Sequence, residues 1–223
     1  MKAKYKPKLL FIFAHPDDEA FGPSGSLIKM TKEYDIYFLC ATKGEAGVNS
    51  IDCDNNISSI RQQELIASTK IIGAKDVHFL GFCDGRLCND LYHELADKIQ
   101  YYVNLYKPEV LMSWENRGVS GHIDHIVVSM VTHFVFYRSP VVKRLLLYCL
   151  SKYQTNQFLE NYYIYRPDGY NRQEIDIVYD TSDVWDQKLK AMKAHRSQIA
   201  DLQKIMNRPK VRLMEDCYIE VKK

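Results

Sequence analysis

Apolar residues fall in short unbroken runs separated by longer mixed stretches. Leu9, Leu10, Phe11, Ile12, Phe13 and Ala14 form one such run and residues 35–42 a second. Continuous rather than alternating apolar runs predict strands covered on both faces. Residues 24–32, carrying Leu27, Ile28 and Met30, read as a short helix, and 57–72 as a longer one ended by Gly73. Strands follow at 77–81 and 109–114, on either side of a helix at 90–106. A helix from 122 to about 137 stops before Pro140, and 142–150 reads as another strand. An edge strand at 175–179, a long helix at 182–206 and a short strand at 218–221 complete the pattern. Repeated strand, helix, strand units favour a parallel sheet. The expectation is an α/β, Rossmann-like three-layer fold with a mostly parallel central sheet and helices on both faces. No repeat, linker or low-complexity tract divides the chain, so 1–223 reads as one domain, with a Tyr-rich insertion or rim at 151–180.

The chain's 223 residues are enough to bury roughly 70% of the unfolded surface, so no metal or disulfide is needed merely to hold the core together. Thirty basic and 28 acidic side chains give a net charge of +2, which offers no electrostatic reason for a nucleic-acid partner. Lys2, Lys4, Lys6 and Lys8 read as a solvated terminus. The six-residue apolar run near the start is too short for a transmembrane segment or a signal-peptide core, so a cytoplasmic location is expected. Cys40, Cys53, Cys83, Cys88, Cys149 and Cys217 are too sparse for a disulfide scaffold, and the Cys83/Cys88 pair lacks a second pair with zinc-site spacing.

Chemistry gathers where the first apolar run ends, in His15, Pro16, Asp17, Asp18 and Glu19. An open α/β sheet places its sites at the carboxyl ends of its strands. An imidazole and a carboxylate three positions apart can close on one divalent ion while the acid between them stays free to take a proton from water. Pro16 suits a sharp exit from the strand. Helix capping by the three acids is the competing reading. A third ligand is available from Gly121, His122, Ile123, Asp124 and His125, where the histidines share one side of a helical turn.

His15 to Glu19 resembles the signature of the PIG-L/LmbE family of zinc-dependent de-N-acetylases. Further strings agree in order: T-K-G-E-A-G at 42–47, the R-x-x-E pair Arg61 and Glu64, the D-G of Asp84 and Gly85, G-H-x-D-H at 121–125, and His195, Ser197 and Gln198 late in the chain. The resemblance implies one zinc ion per subunit held by His15, Asp18 and His125. It makes Asp17 the general base and Asp124 the orienter of His122, which is expected as a protonated ring of raised pKa that supports the tetrahedral intermediate and then gives its proton to the leaving amine. It also implies removal of acetyl from an N-acetylated amino sugar, a GlcNAc-type small-molecule conjugate.

Substrate contacts are expected from Arg61, Trp114, Arg117 and His195. Arg61 reads alternatively as a surface salt bridge to Glu64 or Glu45. His195, held by Gln198 on the long last helix, is expected to close the pocket or shield the metal. Trp114, Arg117 and the tyrosines Tyr153, Tyr162, Tyr163, Tyr165 and Tyr170 form a candidate aglycone rim, with a subunit interface of a homo-oligomer as the other reading. Two other function classes stay open: a metal-dependent phosphoesterase, which normally wants more acids or a second metal, and a non-catalytic sugar- or nucleotide-binding module, for which 22–25 lacks a G-x-G-x-x-G loop.

Overall fold

Leu9, Phe11 and Phe13 bury on one side of the first strand, β1 (Lys8–Phe13), and Leu10 and Ile12 on the other; all five are fully inaccessible. The computed structural model, which describes residues 5–47, 56–155, 167–207 and 214–223, covers both faces as the unbroken run requires. After β1 come α1 (Asp18–Phe21), α2 (Ser24–Met30), β2 (Asp35–Thr42), α3 (Ile57–Ile72), β3 (Asp76–Phe82) and α4 (Tyr92–Tyr106). Then follow β4 (Val110–Trp114), α5 (Gly118–Gly121), α6 (Ile123–Arg138), β5 (Arg144–Cys149) and α7 (Lys152–Thr155). The chain closes with β6 (Ile177–Asp180), α8 (Trp185–Ala194), α9 (Ile199–Met206) and β7 (Glu215–Lys222).

The seven strands form one sheet in the order β3-β2-β1-β4-β5-β7-β6. β1 to β5 run parallel, whereas β7 is antiparallel to both β5 and β6. One face carries α2, α3, α8 and α9 over Phe11, Phe13 and Phe38, and the other carries α4 and α6 over Leu10, Ile12 and Leu111. Truncating a filled position such as Phe11 to Ala would cost about 3–5 kcal/mol. Strand order reverses at β1, whose neighbours β2 and β4 lead the chain in opposite directions, and open sheets of this kind place their crevice there, beyond the carboxyl ends.

The long helix expected over 182–206 is instead broken. A 3-10 turn (Ser182–Val184) leads into α8, and a second (Arg196–Gln198) separates α8 from α9. His195 sits at the break with φ −82° and ψ 67°. Glu64 of α3 accepts hydrogen bonds from both the amide and the hydroxyl of Ser197, at 2.7 and 2.6 Å, and ties this turn to a neighbouring helix. Side-chain to backbone bonds of this kind offer the chain an alternative to the helical ladder. No described helix is long and apolar enough to cross a membrane.

Candidate metal centre and active site

His15 leaves β1 at the crevice, and the next residues turn sharply. Asp17 stands at the N-cap position of the four-residue α1 with φ 100°, in the left-handed region that non-glycine side chains rarely adopt, and its side chain makes no capping bond. The helix beginning at Ser24, for which capping by these acids was the alternative, has Pro23 at its N-cap and no side-chain cap, so the three acids do not cap it. Asp18 turns back on the strand end: its Oδ2 accepts from the amides of Ala14 and His15 at 3.1 and 2.8 Å, while its Oδ1 lies 3.2 Å from His125 Nε2. Burial opposes ionisation of Asp18, but the His125 and His15 rings and these amides hold its carboxyl well below the usual carboxylate range.

His15 and His125 are brought together from opposite halves of the chain. Nδ1 of His125 lies 3.0 Å from the Gly118 carbonyl, which can only accept, so Nδ1 carries hydrogen and Nε2 bears the lone pair. Nε2 of His15 faces Asp84 Oδ1 at 3.0 Å and Asp124 Oδ2 at 3.1 Å and is likewise the donor. The remaining nitrogens, His15 Nδ1 and His125 Nε2, are 3.2 Å apart. Two lone pairs at that separation demand a proton or a cation between them. The set His15, His122 and His125 and the set His15, Asp84, His122 and Asp124 each converge within 4.8 Å, so this cluster can hold a metal ion.

The Asp124 carboxylate serves His15 rather than His122, contrary to expectation. Besides His15 it accepts from the amides of Gly85 and Leu87, at 2.8 and 3.1 Å. The Asp124 amide donates to His122 Nδ1 at 3.1 Å, making His122 the cap of α6 and leaving the neutral ring's proton on Nε2. Burial and the charges of His15 and His125 push the pKa of His122 down to about 4 against the pull of Asp124, opposite to the predicted rise. Burial also disfavours charge on His15, but the hydrogen bonds to Asp124 and Asp84 and the field of Asp18 carry its pKa up to about 10. Both partners are held low by that contact with His15, against the opposing effect of their burial.

Residues 10–135 match the family described as PIG-L, GlcNAc-PI de-N-acetylase. The chain belongs to the PIG-L family. It is 30% identical over 203 residues to the probable N-acetyl-alpha-D-glucosaminyl L-malate deacetylase 2 of Bacillus subtilis, covering 86% of this chain and 84% of that protein. It is 25% identical to the 1D-myo-inositol 2-acetamido-2-deoxy-alpha-D-glucopyranoside deacetylase of Actinosynnema mirum, over 86% of this chain and 81% of that one. The N,N'-diacetylchitobiose deacetylase of Pyrococcus horikoshii shares the fold with a TM-score of 0.72 at 17% identity, over 97% of this chain and 84% of that one.

The strings that resemble the PIG-L family acquire physical roles around Asp17. Arg61 is no surface ion pair: it is 4% exposed and donates to Asp17 Oδ2 at 2.9 Å, to the Pro16 carbonyl at 2.5 Å and to the Gly44 carbonyl at 2.8 Å. A Cβ on Gly44 or Gly47 would stand 2.5 or 2.3 Å from the guanidinium, which accounts for both glycines of the 42–47 string. Burial raises the pKa of Asp17 to about 6, with Arg61 opposing the rise. The Asp17 side chain retains 18% exposure against 5% for Arg61, so solvent reaches the carboxylate but hardly the guanidinium.

Other expected substrate contacts also change place in this PIG-L chain. Trp114 is buried and stacks on His125, with centroids 5.1 Å apart and planes at 19°, so it is packing behind a donor ring rather than rim. His195 is fully buried against Glu19, with Nε2 2.7 Å from Oε1, and its Nδ1 has no hydrogen-bond partner among the described residues; Gln198 thus does not hold the ring. Burial opposes the charge on His195, but Glu19 lifts its pKa above the ordinary value. Arg117 stays at the rim: its Nε donates to Glu115 at 3.2 Å and its guanidinium lies 4.2 Å over the Tyr170 ring. The Tyr170 hydroxyl donates to the same carboxylate at 2.6 Å. Tyr153 is exposed, while Tyr162, Tyr163 and Tyr165 lie outside the described residues.

Sequence reasoning assigned no role to Asp84 or Glu115, and it paired Glu19 with a helix end and Glu64 with Arg61 rather than with His195 and Ser197. Asp84 was visible only as half of a D-G string at the end of the third strand. Each of the other three acids, in helices or loops, has one partner that lies 55 to 176 positions away.

Proposed function

We propose that this chain is a zinc-dependent amidohydrolase that removes the acetyl group from an N-acetylated amino sugar of the GlcNAc type. The lone-pair contact between His15 Nδ1 and His125 Nε2, with Asp18 Oδ1 beside it, carries the reading. Donors around a tetrahedral zinc stand about 3.3–3.5 Å apart, and two imidazoles with one carboxylate make a borderline set that suits zinc and leaves a position open. His15, Asp18 and His125 would hold the ion, which supplies Lewis acidity to the attacking water and the acetamide carbonyl.

The protein's own groups then divide the work. Asp17, kept in place by Arg61, takes the proton of the attacking water and returns it to the leaving amine as the C–N bond breaks. His122, neutral and with hydrogen on Nε2, donates a hydrogen bond to the developing oxyanion. Asp84 and Asp124 fix the tautomer and orientation of His15. Arg117, in the loop that follows β4 and stacked on Tyr170, is assigned to the aglycone. The names of the relatives support a GlcNAc conjugate as substrate. The test is release of acetate and free amine from a panel of N-acetylglucosamine conjugates by protein of measured zinc content. Amine release that stops on chelation and returns with zinc supports the reading; a zinc-loaded protein that leaves every conjugate intact overturns it.

A further inference from the structure

Glu19 and His195 form an ion pair with no solvent access at either side chain. Oε1 of Glu19 faces His195 Nε2 at 2.7 Å, and its second oxygen, Oε2, accepts the backbone amide of Asp17 at 3.1 Å. That amide belongs to a residue held at φ 100°. A left-handed aspartate persists only where its surroundings over-determine it, and such strain concentrates at functional sites. From the other side Arg61 takes the Asp17 carboxylate and the Pro16 carbonyl. Glu64 belongs to the same helix as Arg61, α3, and fixes Ser197, two residues after His195, so α3 anchors both halves of the clamp.

A buried ion pair adds little net stability over well-packed apolar side chains. Its place against the peptide of the base therefore calls for an account in geometry. We propose that Glu19 and His195 are positioning residues for Asp17: His195 fixes the Glu19 carboxylate, which pins the left-handed Asp17 peptide so that the Asp17 side chain points into the crevice. The inference rests on the deacetylase reading for what Asp17 does, but the clamp itself does not.

The test compares Glu19→Leu, Glu19→Gln and His195→Asn, each alone and combined with Asp17→Asn, on zinc-loaded protein. Glu19→Leu should lower kcat about 10- to 100-fold, as expected when a reacting group moves by about 1 Å, with KM and zinc content held. Glu19→Gln keeps an oxygen for the Asp17 amide and should recover most of the rate. In the Asp17→Asn background the same changes should cost less than about twofold, because residues acting through one base are not additive. Full additivity, or loss of zinc in Glu19→Gln, would overturn the proposal. Hydrogen exchange at the Asp17 amide provides an arm independent of turnover: it should quicken in Glu19→Leu while β1 amides stay protected. Unchanged exchange would refute the clamp. A wild-type protein that turns over no conjugate would strike the proposed reaction, and the exchange result would still decide the clamp.

Discussion

Nδ1 of His15 and Nε2 of His125 stand 3.2 Å apart, and each ring has its other nitrogen committed to an acceptor, carboxylates for His15 and the Gly118 carbonyl for His125. Two lone pairs cannot rest at that distance, and, against the ring's burial, the Asp124 and Asp84 carboxylates on its far side carry the His15 pKa up to about 10, so in metal-free protein a proton should occupy the gap. A metal ion bound there would displace that proton. Binding at pH 7 should release about one proton per chain, measured by calorimetry in buffers of differing ionisation enthalpy. Proton-neutral binding would place the metal elsewhere.

His15→Ala, Asp18→Ala and His125→Ala should each empty the site, since a three-donor set does not survive loss of a member. Metal analysis of purified variants checks this. Full occupancy in His125→Ala would move the third donor to His122, which converges with His15 and His125 within 4.8 Å.

Asp17→Asn should keep its zinc and lose roughly 10² to 10⁴ in kcat. Loss of zinc would make Asp17 a ligand, and retained turnover would free it of the role of base.

As the proposed base, Asp17 must be ionised to accept a proton, so activity should fall as pH drops through its pKa. Burial sets that value at about 6 against the opposing Arg61, and a bound cation would move it lower still. Arg61→Gln removes positive charge and should shift the acid limb of kcat/KM upward by about one pH unit. An unmoved limb would separate Arg61 from the base.

Asp124→Asn should weaken zinc binding about 10- to 100-fold, because its carboxylate holds His15. Were it the orienter of His122, affinity would stay and the alkaline limb would move instead. Competition with a chelator of known affinity distinguishes the two.

Unbroken apolar runs announced strands covered on both faces, and β2 and α3 fall at 35–42 and 57–72, where the pattern put them. Local pattern suffices there because a strand's burial and a helix's period are written in consecutive residues. His15, Asp17 and Asp18 stood out for the same reason, as a compact string of possible ligands and proton carriers at a strand end. The helix expected across 182–206 was not, since what breaks it is Glu64, 133 positions from Ser197. Arg61 looked like a surface residue because nothing near it in sequence shows that Gly44 and Gly47 leave room for its guanidinium. The allegiance of Asp124 is the sharpest case. Its neighbour His122 is two positions away, but as a helix cap that ring takes the Asp124 amide, and the carboxylate is left to reach His15, 109 positions distant. The sequence by itself determined which residues can bind metal and move protons, because that depends on side-chain type. Tertiary structure alone decided which of them face one another, because a pKa, a tautomer and an orientation are set by neighbours in space.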